Sequence, residues 1–220
     1  IIFNWLEHPL PKYSGQIELP VSSEVEVFTD SYGVPHVFAK KEKDLFFVAG
    51  YVAARDRLFQ LSMASLAVRG NLASVFGDKF LKTDIYLRTW KIYHTGKQLI
   101  ENMDQDNLRI FEYFCKGINY RIDEVKKDLP LEFKLLRFKP DYWEPAIVAG
   151  YARMMAHEMQ GSWRPEIIFG AIKEYFGEEK LLDLLPSGNY NFPTIVENDN
   201  LLKFYSEFVK QENFIRDIFG

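Results

Sequence analysis

Cysteine is almost absent from this chain. Cys115 is the only one in 220 residues, so no internal disulfide forms. It stands among Phe111, Phe114 and Ile118 and reads as a small buried hydrophobe. A basic stripe is also missing. The 27 Lys and Arg are interspersed with 31 Asp and Glu for a net charge of −4, which disfavours nucleic-acid binding. No apolar run is long enough to span a membrane. There is no His-x-x-x-His and no cysteine pair, so the zinc patterns are excluded. No Gly-x-Ser-x-Gly elbow, Walker-type loop or dinucleotide glycine loop occurs either. The chain therefore holds no complete hydrolytic machinery of its own. It begins with Ile1 rather than Met, from which removal of an upstream segment is expected.

Aromatic residues are plentiful. Nineteen Phe, twelve Tyr and four Trp supply large apolar surfaces, suited to a core and to an intimate partner interface alike. Residues 1–23 are Pro-rich and polar and read as an extended arm. Residues 24–30 alternate, Val25, Val27 and Thr29 against Glu24, Glu26 and Phe28, as a half-buried strand does. Ser31-Tyr32-Gly33 is a turn signal, and 34–39 reads as the returning strand, with Pro35 placing it at an edge. From Lys43 to Gly70 the apolar period becomes helical, with Asp44 a candidate cap. Helical patterns follow over 78–103 and 105–127, with Asp104 as an N-cap, then a connector over 131–140. Further helices are expected over 145–160, from Pro165 to Phe176, and over 197–218, with a turn-rich break over 186–193. The result is a mainly helical chain with one hairpin. Two strands alone are marginal in water, so a sheet supplied from elsewhere is expected to complete them.

Four groups of residues are candidates for chemistry. Asp56 and Arg57, beside Arg55 in an apolar helix, read as a salt-bridged structural node or a catalytic acid, the node being favoured. Adjacent helical residues do not face each other, so Arg69, Asp84 and Arg88 are the candidate partners. His36 reads as hydrogen-bonded structure rather than a base, and His8, His94 and His157 are scattered. Met154, Met155 and Met159 form a soft cluster, open to a reading as core or as an acyl pocket. Glu158 among them faces solvent or a pocket mouth. Glu166 opens a helix, where an acidic side chain complements the dipole; its other reading is an oxygen ligand to calcium completed from another chain.

One ordered signature runs through the first half. Asp30-Ser31-Tyr32-Gly33-Val34-Pro35-His36-Val37-Phe38-Ala39 is followed by Gly50-Tyr51-Val52-Ala53-Ala54-Arg55-Asp56-Arg57-Leu58-Phe59-Gln60, then Arg69-Gly70, Val75-Phe76-Gly77, Asp84 and Arg88. Gly117-Ile118-Asn119, Leu129-Pro130-Leu131-Glu132-Phe133, Lys139-Pro140 and Trp143-Glu144-Pro145 continue in the same order. This series resembles the α chain of the penicillin acylase family of N-terminal-nucleophile (Ntn) amide hydrolases. The resemblance runs from about residue 15 to 185. Arg55 is a variant where the family often has Gln or His.

The resemblance implies an α+β fold. This chain would be the mainly helical α chain of an αββα four-layer sandwich completed by a separate β chain. Residues 1–23 would form the arm, and 24–220 the α-subunit portion of one Ntn-hydrolase domain. A precursor would cut itself into the two chains, and Phe219-Gly220 is compatible with the end of a processed α chain. The nucleophile would be the N-terminal Ser of the β chain, with no catalytic residue here. Ile1 cannot serve. Met155, Glu158 and Met159 would contact the acyl group, and Glu166 would ligate a structural calcium; no organic cofactor is implied. In penicillin G-type members an Arg-Phe pair stands where Glu158 and Met159 stand here, so a different acyl preference, such as aliphatic chains, is expected. The implied partners are the β chain in an obligate heterodimer and a small N-acyl amide. The implied location is periplasmic or extracytoplasmic. A catalytically inactive family member and a helical binding or scaffold subunit remain the alternatives.

Overall fold

A computed structural model describes residues 13–160, 163–177, 179 and 180. Residues 1–12 of the expected arm, the break at 186–193 and the helix at 197–218 lie outside the described residues. The chain divides into two units, one up to Gly161 and one from Ser162.

In the first unit, β1 (Val25–Thr29) and β2 (Pro35–Ala39) pair antiparallel, with Val27 opposite Val37 and Phe28 opposite His36. Asp30 shapes the turn. Its Oδ1 accepts from the amides of Tyr32 and Val34, both at 2.9 Å, and Gly33 takes a φ of 79°. The alternation expected from the sequence holds. Val25, Val27 and Val37 turn inward onto Phe47, Val48, Tyr51 and Val52, while Phe28 and Phe38 stay exposed on the outer face.

The inward face rests on α1 (Glu42–Arg69), a long helix broken at Arg57, whose φ and ψ are −137° and 29°. After it come α2 (Ala73–Phe76), a 3₁₀ turn (Asp78–Phe80), α3 (Leu81–Thr89), α4 (Ile92–Glu101), α5 (Gln105–Val125), α6 (Leu131–Leu136) and α7 (Pro145–Met159). The most extensive packing is α1 on α5, followed by α4 on α7. Gly50 and Gly117 permit the first. A Cβ at Gly50 would overlap the Phe114 carbonyl, and one at Gly117 the Phe47 carbonyl, so the two backbones touch. Ile118, Phe133 and Ile147 fill the centre at 0%, 1% and 0% exposure. Each such burial is worth about 1.5–3 kcal/mol. Cys115 lies in the same cluster, and burial pushes its thiol up to about 12, as an inert core residue requires. The second unit is represented by α8 (Trp163–Phe176), stopped at Gly177 with a φ of 84°.

Three local expectations are corrected. Asp44 does not cap α1; Lys41 holds that position without a side-chain bond, and Asp44 binds the arm instead. The single helix expected over 78–103 is interrupted, because Lys91 adopts a left-handed φ of 55° between α3 and α4. The connector after Pro130 contains the short helix α6, which packs Phe133 against Phe59 and Phe138.

Candidate functional site

Helix α7 carries three of the four candidate site residues, and its N-terminal half is firmly seated. Pro145 occupies the first turn, where no amide donor is needed. Just before it, the buried Trp143 donates its amide to Asn119 Oδ1 at 2.7 Å, and Asn119 Nδ2 donates to the Trp143 carbonyl at 2.8 Å. Glu144 accepts from Arg69 Nη2 at 3.3 Å and from the Tyr93 hydroxyl. Burial, followed by this bond to Glu144, raises the Tyr93 pKa. The guanidinium of Arg69 also lies 5.2 Å from the centre of the Tyr93 ring.

The last two turns separate the methionines. Met154 is core, 6% exposed and packed with Val68, Leu87 and Ile92. Met155 and Met159, one turn apart, are 46% and 84% exposed, and Glu158 beside them is exposed. The expected cluster of three thus resolves into one packing residue and an outward apolar pair. On the opposite side of the helix, His157 Nε2 is hydrogen-bonded to the Tyr86 hydroxyl at 2.8 Å. The Trp90 ring lies 4.4 Å from the imidazole, centre to centre. By sequence His157 is one of several scattered histidines with no evident partner. The available signal was Tyr86 and Trp90 four residues apart, on one face of a helix.

The charged signature residues do not assemble a catalytic group. Asp56 is bonded by its neighbour Arg55, Nε to Oδ1 at 2.8 Å and Nη2 to Oδ2 at 3.1 Å. This corrects the expectation that adjacent residues take separate partners; the helix breaks at the next residue, so ideal helical side-chain directions do not apply there. Arg57 is exposed at that break. Asp84 is buried and accepts from the amides of Leu72 and Ala73, both at 2.8 Å, while Arg88 Nε donates to the Gly70 carbonyl at 2.8 Å. These side chains satisfy backbone groups at the end of α1 and tie α3 to it. His36 is bonded to Asp30 at 3.1 Å, the leading cause holding the Asp30 carboxyl below its ordinary value.

An open cleft of about 560 Å³ lies elsewhere in this unit, between the arm at 20–22, the start of α1 and the face of α5 bearing Lys116, Asn119 and Asp123. Ser22 binds Asp44 there and holds the arm in place. In the second unit, Glu166 is an exposed carboxylate in the first turn of α8. Among the described residues no three of His, Cys, Asp and Glu gather as metal ligands. Calcium takes six to eight oxygens, so the described residues do not by themselves fit a calcium site. Among the described residues no helix is long and apolar enough to cross a membrane.

The sequence profile described as Penicillin amidase matches residues 24–200. Penicillin G acylase of Escherichia coli is 36% identical over 132 residues, 58% of this chain and 16% of the relative. Acyl-homoserine lactone acylase QuiP of Pseudomonas aeruginosa is 25% identical over 84% of this chain and 22% of the relative. Penicillin acylase 2 proenzyme of a Pseudomonas species is 28% identical over 72% and 20%. The chain therefore spans about a fifth of the length of these curated relatives. Among solved structures, a thermostable penicillin G acylase from Alcaligenes faecalis matches with a TM-score of 0.62 and 28% identity, over 79% of this chain and 97% of that one.

Proposed function

The chain belongs to the penicillin amidase family, and from that premise we propose that it is the α chain of a two-chain acylase that hydrolyses the amide bond of N-acyl compounds. One observation carries this reading. The chain covers only 16–22% of the curated relatives yet matches 97% of a chain in a solved acylase. A polypeptide of this extent thus stands as a separate chain in one enzyme and as a small part of long relatives, one of them named a proenzyme.

In this reading the nucleophile is the N-terminal Ser of the β chain. Its α-amino group, which titrates near pH 8, takes the hydroxyl proton at neutral pH without a histidine. The oxygen attacks the amide carbon, the C–N bond breaks, the amine leaves with the proton, and water releases the acid from the acyl-enzyme. Hydrogen-bond donors on the β chain stabilise the oxyanion. This chain contributes the apolar wall, Met155 and Met159, with Glu158 at its mouth. The two thioethers are outward and uncovered in this chain, available to an acyl group enclosed from the other side. Unbranched flexible side chains suit aliphatic acyl groups, and the similarity to an acyl-homoserine lactone acylase across most of the chain supports that class. The enzyme acts outside the cytoplasmic membrane. Glu166 supplies one carboxylate to a calcium completed by groups from another chain.

The test is expression of the full-length gene, with intact mass and N-terminal sequence of whatever co-purifies, and hydrolysis of an N-acyl amide series. The expected result is a larger second chain beginning with Ser and cleavage of aliphatic amides. A partner beginning with a non-nucleophilic residue, or no partner, removes the enzyme and leaves a scaffold or binding subunit. For Glu166, calcium is expected to raise the melting temperature of the wild-type complex, and Glu166→Gln to abolish that rise.

A further inference from the structure

We propose that Tyr86 and Trp90 are positioning residues that set acyl-chain selectivity, acting through His157 on the wall formed by Met155 and Met159. The inference rests on the reading of those methionines as the acyl contact.

Successive residues of an α-helix are about 100° apart. His157 is two residues from each methionine and therefore lies roughly opposite both, about 160° around α7. The face that meets α3 and the face that would meet an acyl chain are two sides of the same turn. What fixes the first therefore sets the orientation of the second.

Among the described residues, few other groups hold that turn. The N-terminal half of α7 is fixed by Asn119, Arg69 and Tyr93. Gly96 of α4 also lies against it, where a Cβ would stand 2.5 Å from the Ala146 carbonyl oxygen. Beyond Gly150 the side chains of Tyr151, Arg153, Glu158 and Gln160 make no hydrogen bond to any described residue, and Gln160 closes the helix through its backbone amide, which donates to the His157 carbonyl. Among the described residues, the bond from Tyr86 to His157 is the one side-chain hydrogen bond made by residues 151–160. Trp90 adds its ring contact at 4.4 Å, and Met154 adds apolar burial.

The support for Tyr86 is itself rigid. Asp84, two residues before it, binds the amides of Leu72 and Ala73, and Arg88, two residues after it, binds the Gly70 carbonyl. Two charged residues of the sequence signature thus hold α3 in register with the end of α1, and α3 holds the last turn of α7. Side chains that touch no substrate here have a role in keeping an exposed wall in one place. Such second-line support determines how closely a site keeps its geometry.

The experiment uses the full-length enzyme and N-acyl p-nitroanilides from acetyl to dodecanoyl, with KM and kcat measured separately. Tyr86→Phe keeps the ring and removes the hydroxyl. It is expected to raise KM for long acyl chains by about fivefold, the worth of one net hydrogen bond, with kcat on the acetyl substrate unchanged. His157→Ala is expected to do the same. His157→Gln, whose amide reaches the position of Nε2, is expected to restore the wild-type profile. Met159→Ala serves as the reference, since it alters the wall directly. If Met159→Ala shifts the chain-length profile and Tyr86→Phe does not, this inference falls and the acyl wall stands. If Tyr86→Phe lowers kcat/KM equally for every chain length together with the melting temperature, the role is merely structural and the inference is overturned. An unchanged profile in Met159→Ala overturns the wall itself, and absence of amide hydrolysis by the wild type overturns the proposed function.

Discussion

Asp44, a candidate helix cap by its place in the sequence, fastens the arm to the body. It is 3% exposed and accepts from the Ser22 amide at 2.9 Å, the Ser22 hydroxyl at 2.7 Å and the Ser23 hydroxyl at 2.9 Å. These bonds, the Ser22 amide foremost, hold its carboxyl down from 3.8 to about 2. The sign follows from linkage. The folded pKa lies below the unfolded one, so the stabilisation is complete above the unfolded value and is lost as pH falls through the folded one. Wild type is therefore expected to lose this contribution between about pH 4 and 2. Asp44→Asn should be less stable at neutral pH and flatter across that interval, measured as the urea midpoint of the assembled protein against pH. An equal slope in both proteins would assign the acid sensitivity to other carboxylates.

Helix ends were legible wherever their chemistry is local. Asp104 caps α5 through the Asn107 amide at 3.0 Å, Pro145 opens α7, and Gly177 closes α8. Breaks made by distant groups were not legible. Nothing near residue 91 announces the left-handed Lys91, and Asp84 binds amides eleven and twelve residues away. The candidate site divides in the same way. An apolar stretch with Met155 and Met159 one turn apart was visible in the sequence. The engagement of His157 was not, because Tyr86 is 71 residues distant. Close helix crossings belong to this second class and can be tested by adding one methyl group. At Gly96 the new Cβ would lie 2.5 Å from the Ala146 carbonyl oxygen and 2.8 Å from the Gly150 nitrogen, forcing α4 and α7 apart. Gly96→Ala should cost about 1–3 kcal/mol. At Gly170, inside α8, no described residue beyond its own helix backbone lies within 4 Å of an added Cβ, and alanine there should stabilise by about 0.5–1 kcal/mol because glycine orders poorly in a helix. Denaturant midpoints of the two variants, moving in opposite directions from wild type, check both. Equal shifts would mean that the α4–α7 crossing is loose.

The hairpin bears the most conspicuous exposed aromatic face among the described residues. Its inner face packs on α1, but its outer face presents Phe28 at 59% and Phe38 at 61% exposure, with Tyr32 at the turn 91% exposed. Among the described residues the sheet has only these two strands, so each has an open edge. A soluble chain seldom leaves such a surface bare, and this one spans about a fifth of its curated relatives. The expectation is that residues 1–220 expressed alone are poorly recovered, while the full-length gene yields a folded complex. Phe28→Ser with Phe38→Ser separates the two roles such side chains can have. Both are exposed in this chain, so they add little to its own core, and the double variant should be recovered in larger soluble amount when expressed alone. In the full-length context the same changes should reduce co-elution of the two chains on gel filtration, because the surface that the second chain would bury has lost its apolar groups. A double variant that associates as wild type does would place the interface elsewhere on the molecule, and an isolated wild-type chain that melts cooperatively would show that the outer face needs no cover.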